Sequence, residues 1–122
     1  MRSIHTAGAV QPHGHYAQAI EHGGTIYVSG LLGSAEQTAG RSTADQAGHC
    51  LDQLEAILQA AGCSLARVLK LGVFITDLAE WPQVNSVCAE RFGDHRPARI
   101  VVPCGPMRFG SRIEIDAIAA AS

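Results

Sequence analysis

The hydrophobic positions of this chain change period several times, and each change marks an element. Two short apolar stretches, HYAQAI and TIYVSG, flank EHGG and predict a β-hairpin with its turn near Glu21–Gly24. LLGSAEQTAGRS, rich in Gly, Ser and Thr, reads as a loop. Ala47, Leu51, Leu54, Leu58 and Ala61 then recur at spacings of three and four, which is one apolar face of a helix over 43–62. Ser42 or Thr43 caps its start, Asp45 lies in its first turn, and Gly62 ends it. VLKLGVFITD is short, β-branched and apolar, as a buried strand is. In LAEWPQVNSVCAERFG, Trp81, Val84, Val87 or Cys88, and Phe92 form a second helical stripe, with Pro82 in the first turn. ARIVVPCG and SRIEIDAIAA read as two last strands; in the second, Ile113, Ile115 and Ala117 alternate with Glu114, Asp116 and Ile118.

The order β-β-α-β-α-β-β predicts one α+β domain over residues 1–122, with two helices on one face of a mixed sheet. The other face is left without a helix. A small domain must bury it, and self-association is the simplest way.

Composition narrows the function classes. The chain has 122 residues, 47% of them hydrophobic and 16% charged, enough for one packed core and too apolar for disorder. The formal net charge of −2 lacks the basic footprint of a nucleic-acid binder. No apolar run approaches the roughly 20 residues that span a bilayer, and the first residues lack the apolar region of a signal peptide, so a cytoplasmic location is expected. Cys50, Cys63, Cys88 and Cys104 are widely spaced, without a CxxC pair, and read as buried reduced thiols. His13 and His15 have no companion cluster of metal-ligand spacing, so no metal is expected.

Few residues are placed for chemistry. Eight of the nine basic residues are arginine, whose planar fork binds carboxylates with two parallel bonds. Arg99 opens an apolar strand two residues after Pro97. It either reaches solvent at the strand end or clamps an anionic ligand. Glu114, inside IEIDAIA, either faces solvent or serves a pocket, and periodicity does not separate it from Asp116, which points the same way. Tyr16 and Ser29, expected on the first two strands, offer hydroxyls, and Asn85 is a polar residue beside the second helical stripe. Lys70, the one lysine, reads as a solvent-facing strand residue rather than an imine-forming nucleophile. There is no GxSxG elbow, and Gly30, Gly33 and Gly40 form no phosphate loop.

Taken together, HYAQAI with TIYVSG, LEAILQAAGCSLARVLKLGVFITDLAEWPQVNSV, FGDHRPARIVV and RIEIDAIA resemble the reactive-intermediate imine deaminases, the RidA or YjgF family, from about Tyr16 to Ala119. The resemblance implies a chorismate-mutase-like fold assembled as a homotrimer, with clefts between subunits. It also implies cofactor-free hydrolysis of 2-imino acids, of the 2-iminobutanoate and 2-iminopropanoate kind, to 2-keto acids and ammonia. Carried over residue by residue, the family's carboxylate-binding arginine falls on Arg99 and its water-orienting glutamate on Glu114. Its substrate-binding positions fall on Tyr16, Ser29 and Asn85. Two positions depart from the common pattern: Val101 stands where many members have cysteine, offering only its backbone to a substrate, and Leu31 follows Ser29-Gly30 where many have glutamine. Other readings are a deaminase of an aminated ring-cleavage product and a non-catalytic trimer that binds 2-keto acids. Ribonuclease activity, reported for some relatives, fits the charge poorly.

Overall fold

A computed structural model describes residues Met1–Ser122. Six strands form one sheet in the order β1-β2-β3-β6-β4-β5: β1 Arg2–Ile4, β2 Ala19–His22, β3 Thr25–Leu31, β4 Val68–Ile75, β5 Ala98–Pro103 and β6 Ile113–Ala120. Only the β4–β5 pair is parallel, so the sheet is mixed as expected. The helices are α1 Ala35–Thr38, α2 Thr43–Ala60 and α3 Trp81–Phe92. No helix is long and apolar enough to cross a membrane.

Helix α2 forms where the three-and-four spacing requires it. The Ser42 side chain accepts the Asp45 N–H at 3.1 Å, which satisfies one of the free amides of the first turn. Ala47, Cys50, Leu51, Leu54, Ile57 and Leu58 are all fully buried against the sheet. Each large side chain among them contributes about 1.5–3 kcal/mol of hydrophobic stabilisation. In α3, Cys88 rather than Val87 completes the buried stripe with Val84, while Trp81 stays 39% exposed.

The alternation in β6 decides the layers. Ile113, Ile115, Ala117 and Ala119 are buried beneath the helices, and Glu114, Asp116, Ile118 and Ala120 lie half-buried on the other face. That open face also carries Tyr27, Lys70, Gly72 and Phe74 by strand register, and Ile100 from β5. Tyr27 and Ile100 are each about half exposed. Lys70 is exposed, as the alternation predicts.

The structure corrects the start of the chain. The hairpin's first strand is Ala19–His22, not the HYAQAI stretch, and its turn is Gly23–Gly24, both with positive φ (59° and 80°). Two left-handed positions give the tight turn whose twist matches the strands, so Glu21 and His22 stay in the ladder. Tyr16 is therefore in an irregular segment before β2, not on a strand. Strand β1 and the short α1, inside the segment read as a loop, are additional elements. Three buried glutamines hold the loops. Gln18 binds the backbone of Thr6 and Val10, Gln53 that of Val10 and Leu32, and Gln46 that of Arg41 and Arg112. They give loop amides and carbonyls the partners that burial demands.

Candidate active site

Arg99 sits on the edge strand β5, paired with Leu71 of β4, and so faces the helix side of the sheet. There it enters a cleft of about 490 Å³ whose walls include Asn85, Phe92, His95 and Arg96. Its guanidinium carbon lies 5.5 Å from the Trp81 ring centroid, an arginine–aromatic stack. The Cys88 thiol lines the same cleft and feels the guanidinium charge. Burial pushes that thiol up, and the Arg99 charge opposes the shift. No carboxylate lies within 4 Å of Arg99, so a cation stacked on the Trp81 ring keeps its donor fork without an anionic partner. Val101 lies on the same side of β5, packed against the core, and brings only its backbone to the strand edge.

Glu114 is on the opposite face. It pairs with Phe74 of β4, and a Cβ at Gly30 of β3 would overlap its carboxylate. A β-bulge between Val28 and Leu31 contains Ser29 and Gly30 and bends the strand at this point. Only glycine there leaves room for the Glu114 side chain to lie across β3. Gly72 does the same for Asp116. Burial first, then repulsion from Asp116, raises the Glu114 carboxyl above the usual carboxylate range. Neither acid forms an ion pair. The Glu114 charge also reaches Cys50, whose thiol burial chiefly drives up to about 12, an inert group in the core.

Tyr16 and Ser29 do come together. Both line a second cavity with Gly30, Gln18 and His13. The Ser29 hydroxyl donates to the Ala17 carbonyl at 2.7 Å, which ties β3 to the segment carrying Tyr16 and leaves that oxygen free to accept. Tyr16 is 52% exposed. Within one chain, then, the carried-over residues fall into two groups. Arg99 and Asn85 line the cleft under α3, while Tyr16 and Ser29 line the cavity at the β3 bulge with Glu114 beside it.

Sequence reasoning missed Trp81 as a support for Arg99, and missed Gly30 and Gly72 as the spaces for the two acids. A glycine inside an apolar strand, as in VLKLGVFITD, signals a close approach of just this kind. It also missed Arg108 and Phe109, which line the Tyr16 cavity from the loop before β6. No group of three or more His, Cys, Asp or Glu is arranged to hold a metal ion. The four cysteines are unpaired, three of them buried and Cys104 half-buried.

Known proteins share this frame along its length. The family model described as endoribonuclease L-PSP matches residues 6–121. A RutC family protein of Pyrococcus horikoshii is 36% identical over 119 residues, covering 95% of this chain and 94% of that protein. The human 2-iminobutanoate/2-iminopropanoate deaminase is 36% identical over 121 residues, covering 97% of this chain and 88% of that protein. Among solved structures, RidA from an Antarctic Psychrobacter superposes with TM-score 0.92 at 32% identity, over 98% of this chain and 99% of that one. Escherichia coli TdcF with bound serine superposes with TM-score 0.91 at 32% identity, over the whole of both chains. The α+β fold with its mixed sheet is the fold of these proteins, and the chain belongs to the endoribonuclease L-PSP family, which is the YjgF/RidA family.

Proposed function

We propose that residues 1–122 form one catalytic domain that hydrolyses 2-imino acids to 2-keto acids and ammonia, at sites completed between copies of the chain in a homotrimer. The observation that carries this reading is the separation of the two charged groups. Arg99 has no carboxylate partner on the helix side, and Glu114 has no cationic partner on the open side. A second copy packed against the open face would bury its apolar residues and bring one chain's Arg99 cleft to another chain's Tyr16, Ser29 and Glu114. The human deaminase's name gives the substrate class.

The chemistry follows from charge. Arg99 holds the substrate carboxylate with its fork, and Asn85 on the same wall offers an amide. This fixes the imine carbon without a covalent link. Glu114, its carboxyl raised by burial, orients a water and takes one of its protons as the oxygen adds to the carbon of the protonated imine. In the resulting carbinolamine Glu114 returns that proton to the nitrogen and accepts the hydroxyl proton as the C–N bond breaks, so the keto acid forms and ammonia leaves. Ser29 and Tyr16 supply hydroxyls for the nitrogen. Imines hydrolyse in water unaided, so positioning and one proton relay suffice.

The test is a coupled assay: generate 2-iminobutyrate and 2-iminopropionate in situ and follow keto-acid release with and without this protein. Acceleration proportional to enzyme supports the reading. No acceleration, together with 2-keto-acid binding that Arg99→Ala removes, would instead make it a binding module. The serine in the TdcF structure keeps that second reading in view for this fold. A ribonuclease reading, suggested by the family model's name, gains nothing from a chain of net charge −2.

A further inference from the structure

Phe109 is the one non-glycine residue with positive φ, at φ 62° and ψ 15°. The left-handed region costs an ordinary residue about 1–2 kcal/mol, and more typically hosts glycine, which follows here as Gly110. The strained backbone puts the ring between two polar side chains. The Arg108 guanidinium carbon lies 5.1 Å from the ring centroid, and the His13 ring meets it edge-on at 6.0 Å. All three line the cavity that also contains Tyr16, Ser29 and Gly30. A guanidinium stacked on an aromatic face still has its N–H donors free in the plane. Arg108 makes no ion pair, and no aspartate or glutamate lines this cavity. It is a cation without an anion, at the edge of the proposed site.

Arg99 already accounts for the carboxylate next to the imine carbon, and it belongs to the other group of residues. Arg108 is therefore an additional positive charge. From this we infer that Arg108, positioned by Phe109, receives a second carboxylate, and that the preferred substrates are 2-imino acids whose side chain ends in a carboxylate, the imines of aspartate and glutamate. This deepens the proposed deaminase reading and rests on it. The reaction balance is unchanged: water adds across C=N, the nitrogen leaves as ammonia, the product is a 2-keto dicarboxylic acid, and nothing is oxidised or reduced. An exposed arginine fork on a carboxylate is a charge-assisted contact, enough for a preference of about tenfold or more.

The experiment measures kcat/KM for the imines of aspartate, glutamate and alanine, each generated in situ, for the full chain and for Arg108→Ala and Arg108→Glu. Binding of 2-oxoglutarate and of pyruvate is measured by calorimetry on the same proteins. The expected result is a dicarboxylate-to-monocarboxylate ratio of kcat/KM that falls about tenfold or more in Arg108→Ala, chiefly through KM, and further in Arg108→Glu. A ratio unmoved by Arg108→Ala, with imines still hydrolysed, overturns this inference and leaves the deaminase standing. If no imine is hydrolysed but 2-oxoglutarate binds better than pyruvate and loses that advantage in Arg108→Ala, the anion subsite stands and the deaminase falls. If neither turnover nor a 2-oxoglutarate preference exists, both are overturned.

Discussion

Alternate residues of β6 meet two different environments. Ile113, Ile115, Ala117 and Ala119 lie at 0–3% exposure on the side that α2 covers. Glu114, Asp116 and Ile118, interleaved with them, are half-buried on a face no helix covers. On the helix side, the core side chains of α2 and β6 already have their neighbours within one chain, and loop backbone groups are satisfied by Gln18, Gln46 and Gln53. On the open side, two carboxylates lie beside glycines, with Tyr27 and Ile100 about half exposed nearby. Stability is thus built on one side of the sheet, while the unpaired acids and uncovered apolar residues of the other side are what a second copy would use.

Truncation on each side should separate the two roles, and the core change should cost most. Ile115→Ala removes fully buried methylene groups among packed neighbours and should cost about 2–5 kcal/mol, a large part of the stability of a domain this size. Ile118→Asp, on the same strand but the open face, should leave far-ultraviolet circular dichroism intact while sedimentation shows monomers in place of the assembly. Equal loss of folded signal in both variants would mean that the open face is already part of the protomer's own core.

Arg99→Ala is next in size. Removing a charge-assisted fork stacked on Trp81 should lower kcat/KM for 2-iminopropionate by about 100-fold or more. Arg99→Lys should recover little, since an ammonium forms neither the fork nor the planar stack on Trp81. Wild-type kcat/KM in Arg99→Ala would show that the helix-side cleft takes no part in the reaction.

What could be read in the sequence follows the same division. The helix face was legible because burial writes itself as period: the stripe from Ala47 to Leu58 and the alternation of β6 both need apolar residues at fixed spacing. Arg99 and Glu114 were legible as charges inside apolar strands, and the family resemblance gave them roles. Their location on opposite faces was not, because it depends on the pairing of β4 with both β5 and β6, a register between distant segments. Strand β1 was missed because three residues carry no period, and its pairing with Ala19–Glu21 is equally distant. The shifted first strand of the hairpin has another cause: polar Glu21 and His22 look like turn residues, but both stay in the ladder, where Glu21 pairs with Ile26 of β3 and with Arg2 of β1, whose side chain also forms an ion pair with it. Arg108 and Phe109 had no pattern to announce them, since a left-handed phenylalanine in a loop leaves no spacing signal.

Glu114 offers a smaller effect with opposite signs on the two sides. Its carboxyl is raised from the ordinary 4.5 by burial and by Asp116, so the ionised form is disfavoured in the folded chain. The folded state therefore holds its proton to higher pH than the unfolded one. The associated stability is fully present below the unfolded value and is lost as pH rises through the raised folded value. Glu114→Gln should melt at a higher temperature than the parent at pH 7–8, and the gap should narrow as pH falls toward 4.5. The same variant should hydrolyse imines more slowly at neutral pH while still binding 2-keto acids through Arg99. A melting gap that does not depend on pH would show that Glu114 ionises as freely as in the unfolded chain, and would remove it as the proton-handling group.

The smallest effect tests whether the two sides are independent. Ser42 caps α2 from an exposed position, and its side chain touches neither the Arg99 cleft nor the open face. Ser42→Ala should cost about 1 kcal/mol of protomer stability, the usual loss for an N-cap hydroxyl, with kcat/KM unchanged and the assembly intact. Combined with Ile118→Asp, its cost should add within about 0.5 kcal/mol when both are measured on the dissociated chain, as expected of sites that share no partner. Additive costs would mean that the helix side sets stability without feeling the open face. A larger coupling, or a change in turnover from the cap alone, would mean that α2 transmits strain through β6 to Glu114, and that the helix side also tunes the carboxylate on the opposite face.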